Sequence, residues 1–209
     1  VAPSRGLGDV YKRQDYDREK HGYTSMIDVD SFVDYFIINE LSSNADAGNY
    51  STYIYKGTDN LYRMCVWDFN NACNNYFEEE LPYTGFFLNN RLWFEMLIKD
   101  EDFTERIIQR YHSLRKGLLS EESLYRYIDE TLDFIAPALA RNDARWGSVE
   151  QQAKGLLVPV SRNLDSRSAA EGQLKGYLRN RGKWLDENIE TLRQYSVSSR
   201  VKQYNEVND

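Results

Sequence analysis

Residues 61–75, LYRMCVWDFNNACNN, contain an apolar run that stops abruptly at Trp67-Asp68-Phe69-Asn70. A run of this length ending in a polar cluster reads as a strand, Leu61 to Trp67, that delivers a carboxylate at its end. Just before it, residues 50–56, YSTYIYK, are rich in β-branched and aromatic side chains, and Gly57-Thr58-Asp59-Asn60 supplies a four-residue turn. The pair predicts a β-hairpin. Further back, Phe32, Phe36, Ile37 and Leu41 recur at helical spacing behind an Asp30-Ser31 cap, which predicts a helix from about Ser31 to Leu41. That helix runs into Ser42-Ser43-Asn44-Ala45-Asp46-Ala47-Gly48-Asn49, whose small, turn-forming residues make a loop that carries Asp46. The hairpin between the two aspartates can fold Asp68 back toward Asp46.

After the motif the chain reads as helical. Residues 78–85, EEELPYTG, form a polar loop punctuated by Pro and Gly, from which Phe86 and Phe87 pack back. The loop occupies the place of an activation or substrate segment, and a solvated acidic connector is its plainer reading. A helix is expected over Arg91 to Lys99, with Leu92, Trp93 and Met96 on its buried face. A second runs over about Phe103 to Lys116, capped by Asp100 to Asp102 and stopped by Gly117. A third starts at Ser120, with Leu124, Tyr127, Ile128, Ile135 and Leu139 in phase and Pro137 kinking or ending it. Trp146 is expected in the core beneath surface Arg141 and Arg145, the alternative being that the three line the acidic site. Residues 147–165 read as a partly helical connection, and Leu174, Leu178, Leu185, Ile189 and Leu192 mark a last helix from about Ser166 to Tyr195. The fold class is therefore α+β, mostly α-helical, with one hairpin and a helical C-terminal bundle. Residues 196–209 read as a polar tail.

Composition bounds the function. The 209 residues suffice for one domain or one large lobe, and no apolar run approaches the roughly 18 residues of a membrane span. A net charge of -7 excludes a nucleic-acid surface, which needs clustered Lys and Arg. Cys65 and Cys73 are too few for a disulfide framework and read as free thiols. With His21 and His112 as the only histidines, histidine-rich zinc chemistry is excluded too. Residues 1–14, VAPSRGLGDVYKRQ, lack periodicity and look like a translated sequencing-adaptor read-through rather than native sequence, which leaves residues 15–195 as the domain.

The order helix, loop aspartate, hairpin, second aspartate is that of the catalytic segment of a protein-kinase-like C-lobe. There a loop carboxylate accepts or orients the proton of the attacking hydroxyl, and the second holds Mg²⁺ against the ATP phosphates. Magnesium takes hard oxygen ligands, so Asp with a neighbouring Asn amide suits it. The alternative reading makes Asp68 a cap on the following element and Asp46 an ordinary loop residue.

The same residues carry a family resemblance. IDVDSFVDYFIINELSSNADAGNYSTYIYK followed by LYRMCVWDFN resembles the CotH kinase family, atypical secreted kinases associated with spore coats, in which these motifs occur in this order. The resemblance extends through LWFEMLIKDEDFTERIIQRYHSLRKGLLSEESLYRYIDE to RNDARW and more loosely to LRNRGKWLDENIETL. It implies a catalytic Asp46, a metal-binding Asp68 with Asn49, and supporting roles for Ser51, Asn70 and Asn75. It also implies Mg²⁺ or Mn²⁺, ATP as co-substrate, Ser or Thr of a protein as acceptor, and a secreted or cell-surface location. The chain departs from the family at Asn74, where a Gly is usual; Asn is the non-glycine residue that best tolerates a left-handed backbone. Kinase chemistry further requires an N-terminal lobe with a phosphate-covering loop and a lysine. Nothing before Asp28 supplies these, since Lys12, Arg13, Arg18 and Lys20 lie on no periodic element, so the chain reads as a C-lobe that is inactive alone. A non-catalytic surface or coat binding protein of the same fold is the alternative. A glycoside hydrolase using the two carboxylates as acid and base is the third reading.

Overall fold

The computed structural model describes residues 22–148 and 156–196. Residues 1–14, the four early basic residues and the tail beyond Ser196 lie outside the described residues.

The central element is helix α1, Val29–Ser42. It begins two residues earlier than the apolar spacing implies, because Asp28 rather than Asp30 is the cap: its side chain accepts from the Ser31 N–H at 3.1 Å. Phe32, Val33, Tyr35, Phe36, Ile37 and Leu41 are buried, so the helix is covered on more than one face. It ends at Ser43, whose left-handed backbone (φ 46°) turns its N–H onto the carbonyls of Asn39 and Glu40.

Strands β1, Tyr53–Lys56, and β2, Tyr62–Cys65, pair antiparallel in the register Tyr53 with Cys65 through Lys56 with Tyr62. Both are shorter than the apolar runs that announce them. Val66 and Trp67 lie beyond the ladder and are exposed, and Trp67 packs edge-on to Tyr53 at 5.6 Å between ring centroids. The hairpin is pinned to the start of α1 twice. Met64 donates its N–H to Ser31 Oγ at 3.0 Å, and Ile27 forms a parallel bridge to Tyr62.

The remaining helices are α2, Phe94–Leu97; α3, Glu101–Arg115; α4, Glu121–Trp146; and α5, Arg167–Asn188, which continues as a 3-10 segment, Ile189–Tyr195. Asp100, Ser120 and Ser166 cap the last three at their N-termini. The core joins α1 to Phe94, to Phe103, Ile107, Ile108 and Tyr111 of α3, and to Leu185, Ile189 and Leu192. Phe94 sits at its centre, stacked on Tyr35 (5.9 Å) and tilted against Phe36 (5.5 Å).

Two local expectations are corrected, the helix over residues 91–99 and the core placement of Trp146. The helix over Arg91 to Lys99 is the single turn α2, and its buried residues are Phe94, Leu97 and Ile98; Leu92, Trp93 and Met96 are exposed. Leu92 has φ 48°, so the helical phase breaks there and the following residues rotate to the other face. Helix α4 runs through Pro137 to a Gly147 cap with φ 87°. It buries no residue, so Trp146, 67 % exposed with the Arg145 guanidinium over its ring at 5.2 Å, is not a core residue. Within the described part of 147–165, one 3-10 turn forms at Val160–Arg162.

Candidate functional site

The loops that carry Asp46 and Asp68 meet, since each aspartate bonds to a side chain from the other's loop, and the strand end alone does not bring this about. Asp68 has a left-handed backbone (φ 55°) and starts a 3-10 turn, Phe69–Asn71. That turn carries Asn71 to Asp46, where its Nδ2 donates to Asp46 Oδ2 at 2.8 Å. From the other side Ser51, also left-handed (φ 42°), directs its hydroxyl toward Asp68 Oδ2 at 3.4 Å. Asp68 makes no side-chain capping bond to the turn it precedes. Its exposed carboxylate is thus left to face solvent beside Ser51.

The Asp46 loop is tightly built. Asn44 Oδ1 accepts from the Asp46 N–H (3.3 Å), and the Asp46 carbonyl accepts from the N–H groups of Asn49 (3.0 Å) and Tyr50 (2.8 Å). Arg91 Nη1 donates to the carbonyls of Ala45 and Ala47, one on each side of Asp46. Ser43, Gly48, Ser51, Asp68, Cys73, Asn74 and Leu92 all have positive φ. Such a concentration of left-handed, mostly non-glycine residues is the kind of strain that surrounding structure must hold in place.

Asn49 is exposed and lines an open cleft of about 280 Å³ with Gly48, Ser51, Thr52 and the apolar walls Tyr50, Tyr53, Leu92 and Trp93. Asn75 does not face the carboxylates: its Nδ2 donates to the Asn70 carbonyl at 2.7 Å and closes the turn. Asn70 is exposed, with a long contact of 3.5 Å to Asn71. Asn74 does hold a left-handed backbone, φ 63°. Its Oδ1 accepts from the Leu81 N–H at 2.6 Å and from Arg162 at 3.2 Å, bonds that a glycine would lack.

Sequence reasoning missed four residues. Asn71 was detectable, since a residue three after Asp68 in a tight turn points back along it. Glu40 and Arg181 are charged positions on otherwise apolar helical stripes, Phe36-Glu40 and Leu174-Leu178-Arg181-Leu185. They form an ion pair at 2.7 Å with side chains 1 % and 0 % exposed. Burial pushes the Glu40 carboxyl up, while Arg181 and the N–H groups of Leu88 and Phe87 pull it back. Nothing in the sequence around Arg91 marks it.

The loop over residues 72–85 is anchored from the C-terminal half. Tyr177 donates to the Pro82 carbonyl (3.0 Å), Arg181 to those of Tyr83 (3.1 Å) and Gly85 (2.6 Å), and Arg162 to that of Asn74 (2.8 Å). Phe86 packs edge-on to Trp184. Glu78, Glu79 and Glu80 remain exposed. Cys73 and Cys65 are free, and burial pushes the Cys73 thiol up to about 12, so it stays protonated at neutral pH.

The donors at the site, Asp46, Asp68, Asn71, Asn49 and Ser51, offer hard oxygens, which fit Mg²⁺ or Mn²⁺ rather than a soft metal. Among the described residues no three His, Cys, Asp or Glu side chains gather to make an all-protein metal cage. An ion with only one or two carboxylates, completed by amide oxygen, water and ligand phosphate, is the way Mg²⁺ is ordinarily held. Among the described residues no helix is long and apolar enough to cross a membrane.

Comparison with curated proteins finds no match. The family described as CotH kinase protein matches residues 7–185, most of the chain and the whole of the Asp46–Asp68 constellation, and carries a kinase-like function at the family level. The chain belongs to the CotH kinase family.

Proposed function

We propose that the chain is the C-terminal lobe of an atypical protein kinase that transfers the γ-phosphate of ATP to Ser or Thr hydroxyls of extracytoplasmic proteins, at the cell surface or a spore coat. The observation that supports this reading is that the two loops meet, Asp46 bonding to Asn71 of the turn after Asp68 and Asp68 to Ser51 of the segment after Asp46. Asp46 accepts the proton of the attacking hydroxyl, whose oxygen bonds to the γ-phosphorus as the bond to the bridging oxygen of ADP breaks. Asn71 fixes the carboxylate orientation, leaving the other oxygen for the substrate. Asp68, with Asn49 and Ser51 beside it and Asn70 and Asn75 forming the turn, would hold Mg²⁺ or Mn²⁺. When bound, the ion offsets the charge on the phosphates.

Kinase chemistry also uses a lobe bearing a phosphate-covering loop and a lysine. The sheet among the described residues is only the two-stranded hairpin. Transfer is therefore tested in a parent polypeptide that carries such a lobe. In that parent, Asp46→Ala and Asp68→Ala should each lower label transfer from γ-labelled ATP by about 10³-fold or more with the melting temperature unchanged. Transfer by Asp68→Ala at the parental rate would sink the proposal. A second reading, a non-catalytic surface or coat protein, is favoured by the exposed aromatic face of the hairpin, Tyr50, Tyr53, Tyr55 and Trp67, a patch of the kind that binds partners. Absent transfer in a parent with an intact lysine would favour that reading.

A further inference from the structure

The segment that follows the anchored loop touches the Asp46 loop through one side chain. Arg91 Nη1 donates to the Ala45 carbonyl at 2.8 Å and the Ala47 carbonyl at 3.1 Å. The Ala45 oxygen belongs to the peptide plane that enters Asp46 and the Ala47 oxygen to the plane between Ala47 and Gly48, while the plane that leaves Asp46 is held by the Asn49 and Tyr50 N–H groups on the Asp46 carbonyl, so Arg91 ties the two ends of the turn that presents Asp46. A cation bonded to both holds the planes against rotation more firmly than neutral donors would.

Two further observations show that the contact is built rather than incidental. Gly48, with φ +79°, lies directly against the same segment. A Cβ there would meet Arg91 Cβ at 2.8 Å and Leu88 Cδ2 at 3.0 Å, so the loop rests on Arg91 only because it lacks a side chain at that point. The segment itself is fixed from behind: the N–H groups of Phe87 and Leu88 donate to the Glu40 carboxylate at 2.7–3.1 Å, and Glu40 is paired with Arg181. The Arg91 N–H then closes a turn onto the Leu88 carbonyl at 3.1 Å. Buried charge on α1 and α5 thereby fixes the base from which Arg91 reaches Asp46.

We propose that Arg91 is a positioning residue: its guanidinium clamps the carbonyls of Ala45 and Ala47 and so holds in place the loop that presents Asp46 to the attacking hydroxyl and Asn49 to the metal. The proposal rests on the reading of Asp46 and Asp68 as the phosphate-transfer site. It assigns Arg91 no contact with substrate.

The test uses the full chain with Arg91→Met and Arg91→Lys, and Asp46→Ala as the control, with Mn²⁺ alone as the probe. Amide hydrogen exchange is followed at Asn49 and Tyr50, whose N–H groups both bond to the Asp46 carbonyl, and at α1 as an internal reference. In Arg91→Met, exchange at Asn49 and Tyr50 should quicken by about tenfold with α1 unchanged, since two charge-assisted bonds are lost. The Kd for Mn²⁺, read from water-proton relaxation, should rise by about tenfold. Arg91→Lys, which keeps the charge and can still reach a carbonyl, should restore much of both effects, whereas a role in packing alone predicts no rescue by Lys. If Arg91→Met does not fold, Arg91→Gln, shorter and uncharged, takes its place. Unchanged exchange and unchanged Mn²⁺ affinity in the uncharged variant, with Mn²⁺ bound by the parent chain, would overturn the role of Arg91 alone. A quickened loop in a protein whose unsubstituted form takes up no Mn²⁺ would overturn both the role and the site reading on which it rests.

Discussion

At the scale of single residues, the arrangement depends on charges placed where the helical pattern calls for apolar side chains. Glu40 and Arg181 lie within the core, and every polar atom of the pair is used: Arg181 Nε donates to the Glu40 carbonyl at 2.7 Å, Nη2 to its carboxylate, and Nη1 to the carbonyls of Tyr83 and Gly85. The planar face of the guanidinium also covers Trp184 at 4.9 Å and Phe87 at 5.3 Å. Such a pair adds little net stability over an apolar replacement of both partners, but removing one leaves a bare charge in the core. Arg181→Met is therefore expected to cost about 3–5 kcal/mol in chemical denaturation. The double variant Glu40→Gln, Arg181→Met should recover part of that loss. A loss within about 0.5 kcal/mol for Arg181→Met would show that the pair is not a structural tie.

Between elements, α3 and α5 are joined by a partly exposed cluster that responds to pH. Asp186 accepts from Tyr111 Oη at 2.7 Å and from Arg115 Nε at 2.8 Å and Nη2 at 2.7 Å. Burial alone would raise its carboxyl, but the bonds from Arg115 and Tyr111 outweigh this and hold it below the ordinary carboxylate value. A carboxyl lowered in the folded state contributes stability that is present above its unfolded value of about 3.9 and disappears as pH falls through the folded one. Asp186→Asn should thus be less stable than the unsubstituted protein at pH 7, with the gap in melting temperature narrowing steadily below about pH 4. A gap independent of pH would mean that the carboxylate charge is not what joins the helices. The hairpin shows the same dependence on neighbours: two four-residue strands are marginal alone, and the Ser31 and Ile27 contacts to α1 complete them.

Across the whole molecule, stability is unevenly distributed. Helix α1 is buried along most of its length, whereas no residue of α4 is buried, and Tyr127 and Phe134 on α4 are 70 % and 85 % exposed. Beyond Leu124, which packs against the core, α4 is held by polar contacts to α5: Tyr125 Oη to the Lys175 carbonyl at 3.0 Å, Lys175 to Asp129, and Arg167 to Asp143 at 2.7 Å. Surface ion pairs of this kind contribute roughly 0–1 kcal/mol each. Backbone amides of α4 are expected to exchange at least about tenfold faster than those of α1 in native-state hydrogen exchange, because local opening there exposes little apolar surface. Equal protection of α4 and α1 would contradict that division.

The sequence by itself determined the element order, the α+β class and the family, because apolar periodicity, turn chemistry and capping residues are local and are written along the chain. It also placed Asp46 on a loop and Asp68 after the hairpin. Only the tertiary structure decided how the two are joined. The link runs through Asn71 from a 3-10 turn, Ser51 from the start of the hairpin, and Arg91 from a segment whose base is fixed by Glu40 and Arg181. Trp93 and Trp146, which look like core residues by pattern, turn outward because the left-handed Leu92 shifts one phase and α4 packs through polar contacts. Hydrogen bonds between residues 25 to 141 positions apart leave no periodic trace in the chain, so the site's supports become visible only when the helices pack.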